Sequence, residues 1–406
     1  MRVTAAVVAA LVVAATMLLT LRLAGGRITA AAAGLLAATV GASPFIESFT
    51  LSGELLAALP AVLSMVCFCA YLNGKHARWL VLAGALTGIA LLIKQSAFDA
   101  GLAAIVFLLW RERRHGLAPA GLFAASALVP IATAAASAAR LSEWLYAIVG
   151  YRFDGDSLLT GSASARVHQL VLSLPPAAKA LGVLALLAAI GWRSASPLAR
   201  IWLGAALLGV LGGGNFHPHY YAQLVPPLSV LGAVGLRTLW QQWPRRAFAV
   251  ALAGAAACVA MALPVAVASP AAQARAIWPH DPHLVHDGAL ASYVRAHTHE
   301  QQRVLALWAD ADLYYLADRT PAIRFLWARN VASVPGALAG VRWVIANRRA
   351  ALVLVVQPLR TLDPSGRTAR LLHREYYRVA VVRGVAVYRS RTQRKIRAMT
   401  SPSMAM

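Results

Sequence analysis

Three short polar clusters interrupt a largely apolar chain, and their side chains are those of acid–base and phosphate chemistry. The first is Glu47-Ser-Phe-Thr-Leu-Ser-Gly-Glu54, two carboxylates flanking a glycine. Glu54, and less directly Glu47, could act as a base, bind a metal or hold a hydroxyl. The simpler alternative is that Ser52 and Glu54 open a helix, as cap and first-turn acid. The second cluster is Lys94-Gln95-Ser96-Ala97-Phe98-Asp99. A lysine closing an apolar run either snorkels to lipid headgroups or pairs with a phosphate as a compact charge with three donors. Gln95 and Asp99 beside it favour a polar pocket. The third runs from Gly212 to Tyr221 and offers Asn215, His217, His219, Tyr220 and Tyr221, hydrogen-bonding groups without fixed charge. Its His-x-His pair gives too few ligands for a metal unless carboxylates come from elsewhere, and tyrosines at a membrane interface are the plain alternative. A fourth stretch holds Trp144, Tyr146, Tyr151, Arg152, Asp154 and Asp156. Here Arg152 could grip a lipid phosphate bidentately, on a segment that reads as an interfacial helix.

The elements that must position these residues are membrane spans. Of 406 residues 59% are apolar and 13% charged, and the mean hydropathy is +0.62. That charged share is about half the usual ~25%, which excludes a soluble enzyme and a disordered scaffold. Runs of about 20 apolar residues, enough to cross a bilayer, recur through the first 270 positions. Ten spans are expected: 3–21, 28–46, 54–72, 79–95, 96–110, 117–138, 171–191, 199–213, 222–239 and 247–268. Unbroken Ala/Leu/Val runs without period-two alternation exclude a β-barrel reading. Basic residues follow every odd-numbered span, as in Lys75 and Arg78 or Arg111, Arg113 and Arg114. By the positive-inside rule those loops are cytoplasmic, so the polar clusters gather at the outer ends and both termini lie outside. Met1–Leu21 reads as a span and not a leader, and a further span ahead of Met1 would restore a cytoplasmic start.

After Pro270 the texture changes to a small α/β domain over 271–390, placed outside the membrane, followed by a basic tail over 391–406 read as disordered. Strands are expected at 303–308, 322–327 and 352–356, a helix at 310–317, and a hairpin over Tyr376–Tyr388 turning at Arg383-Gly384. Residues 271–406 hold 20 of the 38 basic and 8 of the 15 acidic residues, so the domain is cationic and drawn to anionic lipid. With no accompanying nucleic-acid motif, the net charge of +23 is not a nucleic-acid signal. Cys67, Cys69 and Cys258 sit in apolar runs and read as packing residues. His280, His283, His286, His297 and His299 have no metal-site spacing. P-loop, dinucleotide, H-E-x-x-H and G-x-S-x-G motifs are absent from the sequence.

SPFIESFTLSGELLAALP, LLIKQSAFDAGLAA, NFHPHYYAQLVPPLSVL and VLALWADADLYYLADRTPAIRFLW occur in that order. Together they resemble the integral-membrane glycosyltransferases of the GT-C superfamily, in the branch of protein mannosyltransferases, aminoarabinose transferases and rhizobial galacturonosyltransferases. The resemblance runs from Met1 to about Tyr388. It implies a polytopic α-helical fold with a C-terminal extracytoplasmic α/β domain, in the cell (plasma or inner) membrane. The implied reaction moves a sugar from a polyprenyl-phosphate carrier to a lipid, glycan or protein acceptor. Glu54 falls where that family has an acidic residue opening a span, and Lys94-Gln95 and His219-Tyr220-Tyr221 fall where the carrier phosphate is expected. Glu54, Glu47 and Asp99 are thus the catalytic candidates. Lys94, Gln95, Arg152, Asn215, His217, His219, Tyr220 and Tyr221 are the carrier-binding ones. No cofactor is required by these residues, and a divalent cation stays open. The family begins with one span and a large outer loop bearing its key acidic residue, and this sequence starts after that loop. A partner subunit that kept the fold without the chemistry, and a lipid-linked sugar transporter, are the alternatives. The broken midplane spans of a transporter are not evident in the sequence.

Overall fold

The computed structural model describes residues 2–47, 50–151, 163–278, 283–307 and 311–391. Ten helices occupy the ten expected stretches. They are α1 (Arg2–Ala24), α2 (Arg27–Gly41), α3 (Gly53–Gly74), α4 (Ala77–Ile93), α5 (Asp99–Glu112), α6 (Leu117–Ser137), α7 (Ala163–Gly191), α8 (Pro197–Gly213), α9 (Val225–Gln242) and α10 (Pro244–Ala266). Among the described residues six segments are long and apolar enough to cross a membrane, one of them spanning both α5 and α6, while α2, α4 and α8 are shorter apolar helices. The protein is a multi-pass membrane protein. Boundaries shift where local chemistry decides them. The segment expected to span to 46 ends its helix at Gly41, and Ser43 then caps a 3-10 turn, Pro44–Ile46. The 171–191 run belongs to a helix that already starts at Ala163 and continues through Pro175 and Pro176.

The chain divides into two compact units, one of Met1–Leu145 with Gly161–Ala268, the other of Tyr146–Thr160 with Ser269–Met406. In the first, helices approach closely where side chains are missing. Gly84 and Gly88 lie one turn apart on α4, and a Cβ on either would stand 2.3 Å from the Phe123 carbonyl or 2.1 Å from that of Ala127. Small residues at that spacing let membrane helices pack backbone to backbone. Ser64 of α3 donates to the Ala83 carbonyl at 2.8 Å and meets Thr87 Oγ1 at 2.9 Å. Phe68, Phe107 and Phe123 meet edge to face, with centroids 6.2 and 6.4 Å from Phe68, the favoured aromatic geometry. Cys67 and Cys69 are buried in the same core.

The second unit contains α11 (Pro270–Ile277), α12 (His283–His297), β1 (Val304–Leu307), α13 (Asp312–Ala317), α14 (Ala337–Ala346), β2 (Leu352–Val355), α15 (Arg367–Glu375), β3 (Tyr376–Val382) and β4 (Val385–Ser390). Its sheet has the order β1-β2-β4-β3, with β1 parallel to β2 and the other pairs antiparallel. Alternate strand residues feed two cores. Leu305, Leu307 and Val353 pack with Val341, Ile345 and Leu372, whereas Val304, Ala306, Leu352 and Leu354 pack with Leu290, Val294 and Leu313. The expected hairpin forms, and Arg383 (φ 50°) and Gly384 (φ 88°) take the two positive-φ positions that a two-residue turn matching strand twist requires. The strand expected at 322–327 does not form. Outside the β1–β2 ladder Val304 makes one isolated bridge, to Pro321, whose ring nitrogen cannot donate, and the Ala322 amide donates to the Val304 carbonyl at 2.8 Å. The tail from 392 lies outside the described residues.

Before α15, Asp363 is 2% exposed and accepts from the Thr368 amide (2.7 Å) and hydroxyl (2.6 Å), Ser365 Oγ (2.6 Å) and Arg342 Nη2 (2.9 Å). Burial pushes its carboxyl up, but these donors outweigh burial and hold it well below the usual carboxylate range. The unfolded chain therefore binds this proton more readily, so the stabilisation is full above the unfolded value of ~3.9 and is lost as pH falls towards the folded value. Asp363→Asn should reduce hydrogen-exchange protection of α15 by about 1.5–3 kcal/mol at pH 7, the scale of bonds to a charged group. The gap from the wild type should narrow below about pH 4. A gap independent of pH would show that the carboxylate's charge is not what stabilises this turn.

Candidate functional site

Three interhelical turns meet at one end of the first unit. Ser52 opens α3 by accepting from the Leu55 amide at 3.2 Å, which sets Glu54 in the first turn, where the helix dipole favours an anion. Lys94 terminates α4 in an extended conformation. The turn 218–224 is a 3-10 helix entered through Phe216 at φ 48°. Glu47 also sits at positive φ (51°), closing the turn Pro44–Ile46.

These turns place opposite charges together. The Glu54 carboxylate, 3% exposed at its side chain, forms an ion pair with Lys94 Nζ. His219 bridges the two acids, with Nδ1 2.9 Å from Glu47 Oε2 and Nε2 3.9 Å from Glu54 Oε1. Lys94 Nζ stands 4.1 Å from the centroid of the Tyr220 ring, a cation–π contact. His217 stacks on His219 with centroids 5.5 Å apart. Glu47, Glu54, Lys94, His217, His219 and Tyr220 thus form one constellation.

Asp99 stands next to it with its own donors. Trp202 Nε1 donates to Oδ2 at 2.6 Å, and Gln223 Nε2 donates to Oδ1 at 2.9 Å and to the Ser96 carbonyl at 2.9 Å. Glu54, Lys94, Ser96, Asp99, Trp202 and Gln223 line one cavity of about 10 Å³, close to the room one water needs. Tyr221 is 6% exposed and its hydroxyl pairs with Ser173 at 2.6 Å, which turns it towards α7. Gln95 and Asn215 lie half-buried on their turns. Arg152, Asp154 and Asp156 lie outside the described residues, and around them Leu141–Leu145 is helical and Tyr146–Gly150 a π turn. Trp202 and Gln223 were not singled out from the sequence. A signal existed for each, since a buried indole N–H needs an acceptor and Gln223 falls four residues after His219. Among the described residues no three of His, Cys, Asp and Glu converge to hold a metal ion.

A second cavity, of about 460 Å³, is lined by alanine- and valine-rich faces of α1, α2 and α3 and the start of α9, with Glu54 in its wall. An apolar space thus ends at the charged cluster.

The family described as dolichyl-phosphate-mannose-protein mannosyltransferase matches residues 1–139. No curated protein sequence matches the chain. The structure of ArnT from Cupriavidus metallidurans bound to undecaprenyl phosphate is similar with a TM-score of 0.61 at 17% identity, over 95% of this chain and 83% of that one. The apo structure of the same ArnT gives 0.57 at 17% identity, with the same coverage of both chains. The chain shares the fold of these ArnT structures. The expected polytopic helical architecture with a small strand-containing C-terminal unit is therefore found.

Proposed function

We propose that the protein is a glycosyltransferase that moves a sugar from a polyprenyl-phosphate carrier to a hydroxyl of a lipid, glycan or protein acceptor at the outer face of the membrane. The observation that carries this reading is Glu54, in the wall of an apolar cavity and ion-paired with Lys94. A polyprenyl-phosphate sugar has the matching polarity, a long apolar chain ending in a charged phosphate. The likeness of the fold to an ArnT crystallised with undecaprenyl phosphate and the mannosyltransferase match over residues 1–139 support the same substrate class.

The acceptor oxygen attacks the anomeric carbon. The bond from that carbon to the phosphate oxygen breaks, its electron pair leaves with the phosphate, and the acceptor's proton passes to a carboxylate. A hydroxyl is a weak nucleophile near neutral pH, and a positioned base contributes typically ~10²–10⁴ in rate. Glu54 is the carboxylate assigned to that task. Lys94 and Tyr220 face the developing phosphate charge, and Glu47 orients His219. Asp99, with both oxygens already accepting hydrogen bonds, is assigned a positioning role between Trp202 and Gln223.

The test is transfer from a labelled polyprenyl-phosphate sugar in proteoliposomes holding the 406-residue protein and cell-envelope lipid and glycan acceptors. Protein-dependent accumulation of labelled acceptor is expected. Carrier binding without any transfer would point instead to a partner subunit that kept the fold without the chemistry.

A further inference from the structure

In the C-terminal unit an open cleft of about 900 Å³ lies at the N-terminal ends of β1 and β2. Three guanidinium groups line it, those of Arg303, Arg348 and Arg349, and no carboxylate does. Glu375 neutralises Arg348, with Oε2 2.6 Å from Nη2. Arg303 and Arg349 are exposed, and no carboxylate among the described residues pairs with them. Trp343, 57% exposed, forms part of the wall, and the Arg349 guanidinium lies 5.7 Å from its ring. Gln301 and Asn347 also line it, with one amide proton of Asn347 donated to the Trp343 carbonyl at 2.8 Å.

The backbone holds this set firmly. The Arg348 amide donates to the Ile345 carbonyl at 3.1 Å and the Arg349 amide to that of Val344 at 3.0 Å, the paired bonds of a Schellman cap on α14. The left-handed position of that cap favours glycine, yet Arg348 occupies it at φ 52°. The ladder bond from the Ala351 amide to the Arg303 carbonyl, 2.8 Å, ties Arg303 to the same rim.

We propose that this cleft binds an anionic saccharide, a sugar unit carrying a carboxylate or phosphate. An exposed indole offers a flat apolar surface for the C–H face of a sugar ring, and amides suit its hydroxyls. Guanidinium forks match carboxylate and phosphate oxygens. The concave form, with two uncompensated charges and an aromatic ring lining one cleft, fits a single charged sugar unit better than a flat lipid surface, to which scattered cations respond. The proposal is independent of the reading of the Glu54 site.

The experiment measures equilibrium binding of a triuronate to the full-length protein in detergent micelles, with the matching neutral trisaccharide and anionic lipid vesicles as separate arms. Saturable binding of the triuronate, weakened at least tenfold by Arg349→Ala and by Trp343→Ala and largely kept by Trp343→Phe, is expected. Thermal unfolding of each variant confirms that the fold is retained. Equal binding of the neutral sugar, indifference to both alanine substitutions, or capture by vesicles with no binding of the saccharide would overturn it.

Discussion

Glu54→Gln should lower transfer by about 10²–10⁴-fold, the worth of a positioned general base, while leaving the carrier bound. The amide keeps the shape of the side chain but can neither take a proton nor balance the Lys94 charge. Lys94, released from its ion pair, then offers its full charge to the carrier phosphate, so carrier affinity should stay level or rise. That opposite movement of rate and affinity separates a base from a general scaffold residue, whose loss weakens both. Glu47→Gln should have the smaller effect, because Glu47 acts through His219 at 2.9 Å. Single-turnover transfer and equilibrium binding of a labelled polyprenyl phosphate measure the two quantities. Transfer at the wild-type rate in Glu54→Gln would remove Glu54 as the base.

Much of this arrangement was legible in the sequence because membrane segments declare themselves. A run such as Leu55–Tyr71 has no other way to bury its side chains and backbone, so all ten helices fall where the apolar runs lie. The clusters at their ends were legible for a related reason. Glutamate, lysine and histidine are costly in a bilayer and are kept where they find partners, and Glu54, Lys94 and His219 are indeed brought together. Which partner each takes was not legible. The Glu54–Lys94 pair and the Asp99–Trp202 hydrogen bond join residues 40 and 103 positions apart, a matter of helix packing that periodicity does not encode. The role of Trp202 is hidden in the sequence because an indole in an apolar helix reads as bulk until its N–H is traced to an acceptor. The misread strand at 322–327 has a local cause. Pro321 meets β1 through a single bridge, and the apolar Ile323, Phe325 and Leu326 pack into the cores without continuing the ladder.

Lys94→Met should destabilise the protein more than any other substitution at this site and should also cost carrier affinity, and the two losses are separable. The substitution leaves the Glu54 carboxylate, 3% exposed at its side chain, without its cation. Removing one partner of a buried pair costs about 3–5 kcal/mol, with His219 Nε2 at 3.9 Å the nearest group able to moderate it. Replacing both partners, Glu54→Gln with Lys94→Met, removes the uncompensated charge and should recover most of the lost stability, since neutral pairs of similar size are often as stable as the ion pair. Carrier binding should not recover, because the ammonium that faces Tyr220 at 4.1 Å is missing from both proteins. The expected loss is about 1.5–3 kcal/mol in each, the scale of a charge-assisted hydrogen bond. Thermal unfolding in detergent reads the first quantity and polyprenyl-phosphate binding the second. If affinity returns with stability in the double variant, Lys94 serves only to neutralise Glu54, and the phosphate must be held by other donors of the cluster, with His217 and Tyr220 next in line.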